Sequence, residues 1–210
     1  MKAYLFDFDG TLVDSMPTFA SVMLRILDEY GAEYPEDIIK IITPLGNLKT
    51  AEYFVERLGV KEEIETLVKK MTDYCYQEYS TTVPAKPYVI DVLKELKRRG
   101  HSLNVLTASS HRVLDVCLIR LGIFDLFDNV WSCNDFATSK ADPEIYRMCA
   151  EKIGKPVSDI IFLDDNYNAD KTAKVAGVIV YGVYDESSES YTDEIKSVSD
   201  KYINDFRELL

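Results

Sequence analysis

The stretch Ala3-Tyr4-Leu5-Phe6-Asp7-Phe8-Asp9-Gly10-Thr11 decides the reading of this chain. Its first four residues are a short apolar run, which predicts a buried strand. Two aspartates follow where that strand ends, and Gly10 lets the backbone turn sharply. Residues two apart on a strand face the same side, so the spacing predicts that Asp7 and Asp9 aim both carboxylates at one ligand. Neighbouring carboxylates repel unless a cation or a shared proton compensates. A hard divalent cation such as Mg²⁺ suits oxygen donors. A carboxylate can also act as a nucleophile and form an acyl phosphate. A solvated strand end with a turn is the ordinary alternative for so short a motif.

Outward from this stretch the pattern changes twice. From Pro17 to about Ser80 it is helical, with no evident strand. Phe19, Val22, Met23, Ile26 and Leu27 recur at helix spacing, as do Ala51, Phe54, Val55 and Leu58, then Ile64, Leu67, Val68 and Met71. The breaker cluster Thr43-Pro44-Leu45-Gly46-Asn47 separates the first two of these groups. This region reads as a helical unit inserted after the first strand, with Thr82-Val83-Pro84-Ala85-Lys86-Pro87 as the return linker. The boundaries are 1–14 and 85–210 for the core and 15–84 for the insert.

Beyond the linker, helices and strands alternate. Helices are expected near 88–99, ending at Gly100, near 111–121, ending at Gly122, and near 168–176, ending at Gly177; glycine is a favoured C-terminal cap. Asp142-Pro143 supplies a capping residue and a proline for the first position of another helix. Strands are expected at Leu103–Thr107, Val130–Ser132, Ile160–Leu163 and Val178–Tyr181. This alternation predicts parallel pairing in a layered α/β domain, whose ligand site lies outside the carboxyl ends of the strands. Asp185 to Glu194, acidic and serine-rich, reads as an exposed loop.

Composition narrows the function classes. With 24 Lys and Arg against 36 Asp and Glu, the formal net charge is −12. That argues against nucleic acid and anionic membrane surfaces as partners, since both reward basic patches. No apolar run approaches the ~20 residues of a membrane-spanning helix. Cys75, Cys117, Cys133 and Cys149 form no CxxC pair and are not spaced with His101 and His111 as zinc ligands. Without a secretory signal, the expected compartment is a reducing cytosol. No obligate protein partner is evident.

The expected strand ends and adjoining loops carry polar chemistry. The first gives Asp7 and Asp9, the strand at 103–107 gives Thr107 followed by Ala108-Ser109-Ser110, and the strand at 160–163 gives Asp164 and Asp165 with Asp170 beyond. Lys140 precedes the helix opened by Asp142-Pro143. Phosphoryl transfer needs positioning and neutralisation of the phosphoryl oxygens. Thr107 and backbone N–H groups could hold those oxygens, Lys140 could neutralise nucleophile and phosphate together, and Asp165 could complete a Mg²⁺ site with Asp7, with Asp164 close behind. Singly, Thr107 is an ordinary strand residue, Lys140 an ordinary surface charge, and Asp164-Asp165 an ordinary turn. Their ordered occurrence is the signal.

In these four segments the chain resembles the haloacid dehalogenase superfamily of phosphatases and phosphomutases. The motifs are Asp7-Phe8-Asp9-Gly10-Thr11, Leu106-Thr107-Ala108-Ser109, Lys140-Ala141-Asp142-Pro143 and Phe162-Leu163-Asp164-Asp165. The resemblance implies a Rossmann-like, doubly wound parallel sheet. It also makes the insert a C1 cap, as in phosphoglycolate phosphatase and β-phosphoglucomutase. By position it makes Asp7 the nucleophile, Asp9 the general acid and then base, and Thr107 and Lys140 the groups that bind phosphate and orient Asp7. Gly10, Ala108 and Ser109 would surround the substrate. Mg²⁺ would be held by Asp7, the backbone carbonyl of Asp9, and Asp165. Two departures stand out. Ala141 replaces a proline common in the third motif. Asp164 replaces the usual glycine of the fourth, so Asp164, Asp165 and Asp170 all remain candidate ligands, with Asp165 favoured by its distance from Gly177. The second aspartate argues against dehalogenation, because a halide needs no proton to leave.

The expected function is therefore a Mg²⁺-dependent phosphatase for a small soluble phosphate monoester. A sugar phosphomutase is the runner-up, for which Lys49, Arg57 and Thr43-Pro44-Leu45-Gly46 could line the cap, although surface Lys and Arg are the default. A non-catalytic phosphate-binding protein ranks last. Hinges for cap movement are expected near Asp14-Ser15-Met16-Pro17 and Val83-Pro84.

Overall fold

The computed structural model describes residues 1–43 and 45–210, so Pro44 of the breaker cluster lies outside the described residues. The chain separates into two compact units, Met1–Asp14 with Val83–Leu210, and Ser15–Thr82.

The larger unit is built on one parallel sheet. Among the described residues its strands are β1 (Ala3–Phe6), β2 (Ser102–Thr107), β3 (Asn129–Ser132), β4 (Ile160–Asp164), β5 (Ile179–Val183) and β6 (Lys201–Ile203), ordered β3-β2-β1-β4-β5-β6. β1 and β4 are buried along their whole length, as near-continuous apolar runs in a sheet covered on both faces should be. Chain order runs outward from β1 to β2 and β3, then returns to the other side of β1 for β4. The carboxyl ends of β1 and β4 therefore flank the point where the winding reverses, which is where such sheets form a ligand crevice. The register brings Phe6 beside Leu163 on one side and Val105 on the other.

In the larger unit the expected helices form. α5 (Val89–Arg98) and α6 (His111–Arg120) are followed by Gly100 and Gly122 in the left-handed region. α7 (Glu144–Ile153) starts one residue later than Asp142-Pro143 predicts. Pro143 is its cap position, and the Asp142 carboxylate accepts from the Glu144 N–H at 2.9 Å. α8 (Tyr167–Ala176) is capped by the Asn166 side chain.

The segment Asp185–Glu194 is largely exposed, as expected, but it is not a loop. Glu186–Tyr191 forms 3₁₀ turns that run into α9 (Thr192–Val198), and Asp185 is buried. α9 packs where Gly182 has no side chain: a Cβ there would meet Ile195 Cγ2 at 2.4 Å. α9 and β6 escape a reading by composition because their buried contacts are few and long-range.

The smaller unit is helical, with α1 (Met16–Glu29), α2 (Ile38–Ile42), α3 (Gly46–Glu56) and α4 (Ile64–Thr81). Its own core joins Val22, Met23, Ile26 and Leu27 to Ile38, Ile42, Ala51, Phe54, Leu67 and Met71. Cys117, Cys133 and Cys149 are buried and Cys75 is half-buried, and none of the four forms a disulfide. Among the described residues no helix is long and apolar enough to cross a membrane.

Candidate active site

The chain after β1 folds into a closed loop. The N–H groups of Leu12 and Val13 donate to the Phe8 carbonyl (2.9 and 3.0 Å), and the Gly10 N–H donates to the Val13 carbonyl at 3.0 Å. Asp7 stays tied to β4 through its N–H, 2.8 Å from the Leu163 carbonyl. Because β1 ends at Phe6, neither aspartate belongs to the strand, and the expectation of two carboxylates on one strand face is corrected. Asp7 is buried, whereas the Asp9 carboxylate accepts the Ser109 hydroxyl at 2.6 Å. The carboxylates that do converge are those of Asp7, Asp164 and Asp165, whose ligand atoms lie within 4.8 Å of one another.

Lys140 enters this acidic cluster. Its ammonium donates to the Asp7 carboxylate and, at 2.8 Å, to that of Asp164. Burial works against the lysine's charge, but Asp164 and Asp7 outweigh it and raise its pKa well above the ordinary value. Buried Tyr146 pins the lysine's loop, its hydroxyl lying 3.1 Å from the Ala169 carbonyl and 3.2 Å from that of Lys140. For Asp7, burial dominates Lys140's opposing pull, and with Asp164 and Asp9 nearby its carboxyl is pushed up to about 8. Burial, then Asp164, Asp7 and Asp185, drives Asp165 upward too.

Asp165 is held from two sides. The Thr11 hydroxyl donates to it at 3.0 Å. Gly10, at φ +77°, lies so close that a Cβ would sit 2.6 Å from Asp165 Oδ2. Asp164 accepts the Asn166 N–H at 2.8 Å. Asp170 is fully buried, outside the three-carboxylate cluster, and neither of its oxygens has a hydrogen-bond partner. Burial, reinforced by Asp164 and Asp165, raises its pKa and favours the neutral acid.

Thr107 ends β2, is buried, and accepts the Ser109 N–H at 3.0 Å, which leaves its hydroxyl proton to donate. Ala108 is exposed and Ser109 half-buried. Lys49 in α3 and Arg57 at its end are exposed on the helical unit.

Lys86, read from sequence only as linker, is a residue that sequence reasoning missed. Its ammonium donates to the carbonyls of Gly10 (2.7 Å) and Tyr184 (2.6 Å) and to the Asp185 carboxylate (2.9 Å). Tyr146 likewise carries no sequence signal of its position, and Thr11, though part of the first motif, carries none of its contact with Asp165. Only the acidic Asp185 after a strand could have suggested a cationic partner.

Three converging, buried carboxyl groups facing one ammonium would, on releasing their protons, carry an excess of negative charge that a hard, oxygen-seeking divalent cation would offset. The donor set fits such an ion.

This arrangement lies at the topological switch point of the sheet, where α/β folds bind ligands. Residues 1–177 match the family model of haloacid dehalogenase-like hydrolases. The chain belongs to that family. It is 27% identical over 184 residues to a phosphorylated carbohydrates phosphatase of Thermotoga maritima, covering 87% of this chain and 85% of that protein. It is 30% identical over 189 residues to a phosphoglycolate phosphatase of Haemophilus influenzae, covering 85% of this chain and 83% of that one. In fold it is similar to CbbY from Rhodobacter sphaeroides, solved with phosphate, at a TM-score of 0.83, 21% identity, and coverage of 100% and 96%.

Proposed function

We propose that this protein is a Mg²⁺-dependent phosphatase that hydrolyses a small soluble phosphate monoester through an aspartyl-phosphate on Asp7. The observation that carries this reading is the buried Asp7 carboxylate, paired with Lys140 beside Asp164 and Asp165. Relatives named for phosphorylated carbohydrates, fructose 1-phosphate and phosphoglycolate support the substrate class.

An Asp7 oxygen attacks phosphorus, and the ester oxygen leaves with a proton from Asp9. The half-buried position of Asp9 and its hydrogen bond to the Ser109 hydroxyl keep its carboxyl within reach of a leaving group. Asp9 then takes a proton from water, the water attacks the phosphorus, and Asp7 and inorganic phosphate are released. Lys140 keeps the Asp7 oxygens oriented and offsets the charge of the incoming phosphoryl group. The Thr107 hydroxyl, with the backbone N–H group of Ala108, would hold phosphoryl oxygens. Mg²⁺, held by Asp7, Asp165 and the Asp9 carbonyl with Asp164 beside them, would draw charge from those oxygens. The helical unit would serve as the cap, with Lys49 and Arg57 as cations for the remote part of the substrate.

Phosphate release from phosphoglycolate, sugar phosphates, nucleoside monophosphates and pyrophosphate, each with Mg²⁺ and with EDTA, tests the reading. Metal-dependent release from one favoured ester is expected. Isomerisation of glucose 1-phosphate with a bisphosphate primer, without net release, would replace it with a phosphomutase.

A further inference from the structure

The two linkers that join the units run side by side within the larger one. The Asp14 N–H donates to the Pro84 carbonyl and the Lys86 N–H to the Leu12 carbonyl, both at 3.0 Å, and Val13 bridges antiparallel to Ala85. This pairing delivers the Lys86 side chain behind the loop that follows Asp7. There it reaches three acceptors from two places in the chain: the Gly10 carbonyl on the Asp7 loop, and Tyr184 and Asp185 after β5. Lys86 and Asp185 are 14% and 5% exposed, so the pair is shielded from solvent screening. Burial opposes the Asp185 charge, but Ser187 and Lys86 outweigh it and hold that carboxyl below its ordinary range.

The Gly10–Thr11 peptide is the piece Lys86 holds. On its other side the same peptide presents the Gly10 Cα and the Thr11 hydroxyl to Asp165. We infer that Lys86 is a positioning residue for the acidic cluster: by fixing the Gly10 carbonyl against the Asp185 loop, it sets where Asp165 can lie. It touches neither substrate nor nucleophile and acts through Gly10, Thr11 and Asp165. The inference rests on the proposed metal-dependent reaction, and it makes Asp185 a supporting residue that anchors Lys86, beside the direct effect of its charge on Asp165.

Titration calorimetry with Mg²⁺ alone, without substrate, tests this on the full chain. Outer-shell partners that orient ligands are typically worth 10–100-fold in metal affinity, so K86M is expected to bind Mg²⁺ about 10-fold more weakly. D185N, which leaves the Gly10 contact, should weaken binding by less. K86M/D185N should bind only slightly more weakly than K86M, by the loss of the Asp185 charge near Asp165 alone. A purely structural staple would lower the melting temperature of K86M yet leave the Mg²⁺ affinity of the folded protein within twofold of wild type, and that result overturns the inference. If K86M does not fold, D185N carries the test, and an unchanged affinity there overturns it as well. Wild-type protein that neither binds Mg²⁺ nor hydrolyses esters would instead overturn the proposed function itself.

Discussion

Gly10→Ala separates the metal-site geometry from the nucleophile, because it alters neither Asp7 nor any charge. The added Cβ would lie 2.6, 2.7 and 2.8 Å from Oδ2, Oδ1 and Cγ of Asp165. Ordinary contact begins near 3.4 Å, so 3.4 minus 2.6 gives a forced retreat of about 0.8 Å. The carboxylate cannot retreat freely, since the Thr11 hydroxyl holds its Oδ1 at 3.0 Å and the group is buried. At φ +77° an L-residue adds about 1 kcal/mol of backbone strain. Weakening the Thr11 hydrogen bond to a carboxylate adds about 1.5 kcal/mol. The expected total is a loss of roughly 2–3 kcal/mol in unfolding free energy, with Mg²⁺ affinity down about 10- to 100-fold. Urea denaturation gives the first quantity and calorimetric Mg²⁺ titration the second. A G10A protein that binds Mg²⁺ within twofold of wild type would refute the argument that Asp165 is set by the bare Cα of Gly10.

Other outcomes follow from the same site. D7N should abolish phosphate release while leaving the protein folded; turnover of any ester by D7N would remove the nucleophile assignment. Asp7 of the metal-free protein holds its proton up to about pH 8, far above its ordinary 3.8. Between those values the native state binds a proton the unfolded state has lost, so stability falls as pH rises, by at most about 1.4 kcal/mol per pH unit per group. Asp165 and Asp170 act in the same direction. So does His111, raised by its bonds to Asp115 and Asp135, whose stabilisation is lost as pH climbs through its raised pKa. EDTA-treated protein should therefore melt lower at pH 8 than at pH 6, with Mg²⁺ narrowing the gap; a higher melting temperature at pH 8 without metal would contradict the burial argument. K140M leaves Asp7 and Asp164 without their shared cation. It should cost about 3 kcal/mol in denaturant titrations at pH 8 and less at pH 6, where Asp7 can stay neutral.

The amino-acid sequence alone determined the alternation that builds the parallel sheet, the helical insert, and the polar groups at the ends of β1, β2 and β4. These are legible because strand burial and helix periodicity are local patterns, and glycines 100, 122 and 177 mark helix ends through backbone conformations that need no distant partner. Asp7, Thr107 and Asp165 were legible as candidates because each sits at or just past such an end, and Lys140 because it precedes the capped start of α7. What only the tertiary structure decided is how those ends meet. The Asp9 carboxylate turns to Ser109 while Asp164 joins Asp7 and Asp165, because the strand stops at Phe6 and the following loop closes on itself. Lys86, Tyr146 and the buried Asp185 gain their roles from partners roughly a hundred residues away or across a loop. α9 packs onto Gly182 in the same manner. Hydrogen bonds and charge pairing at that range depend on the folded path of the chain, and no local spacing encodes them.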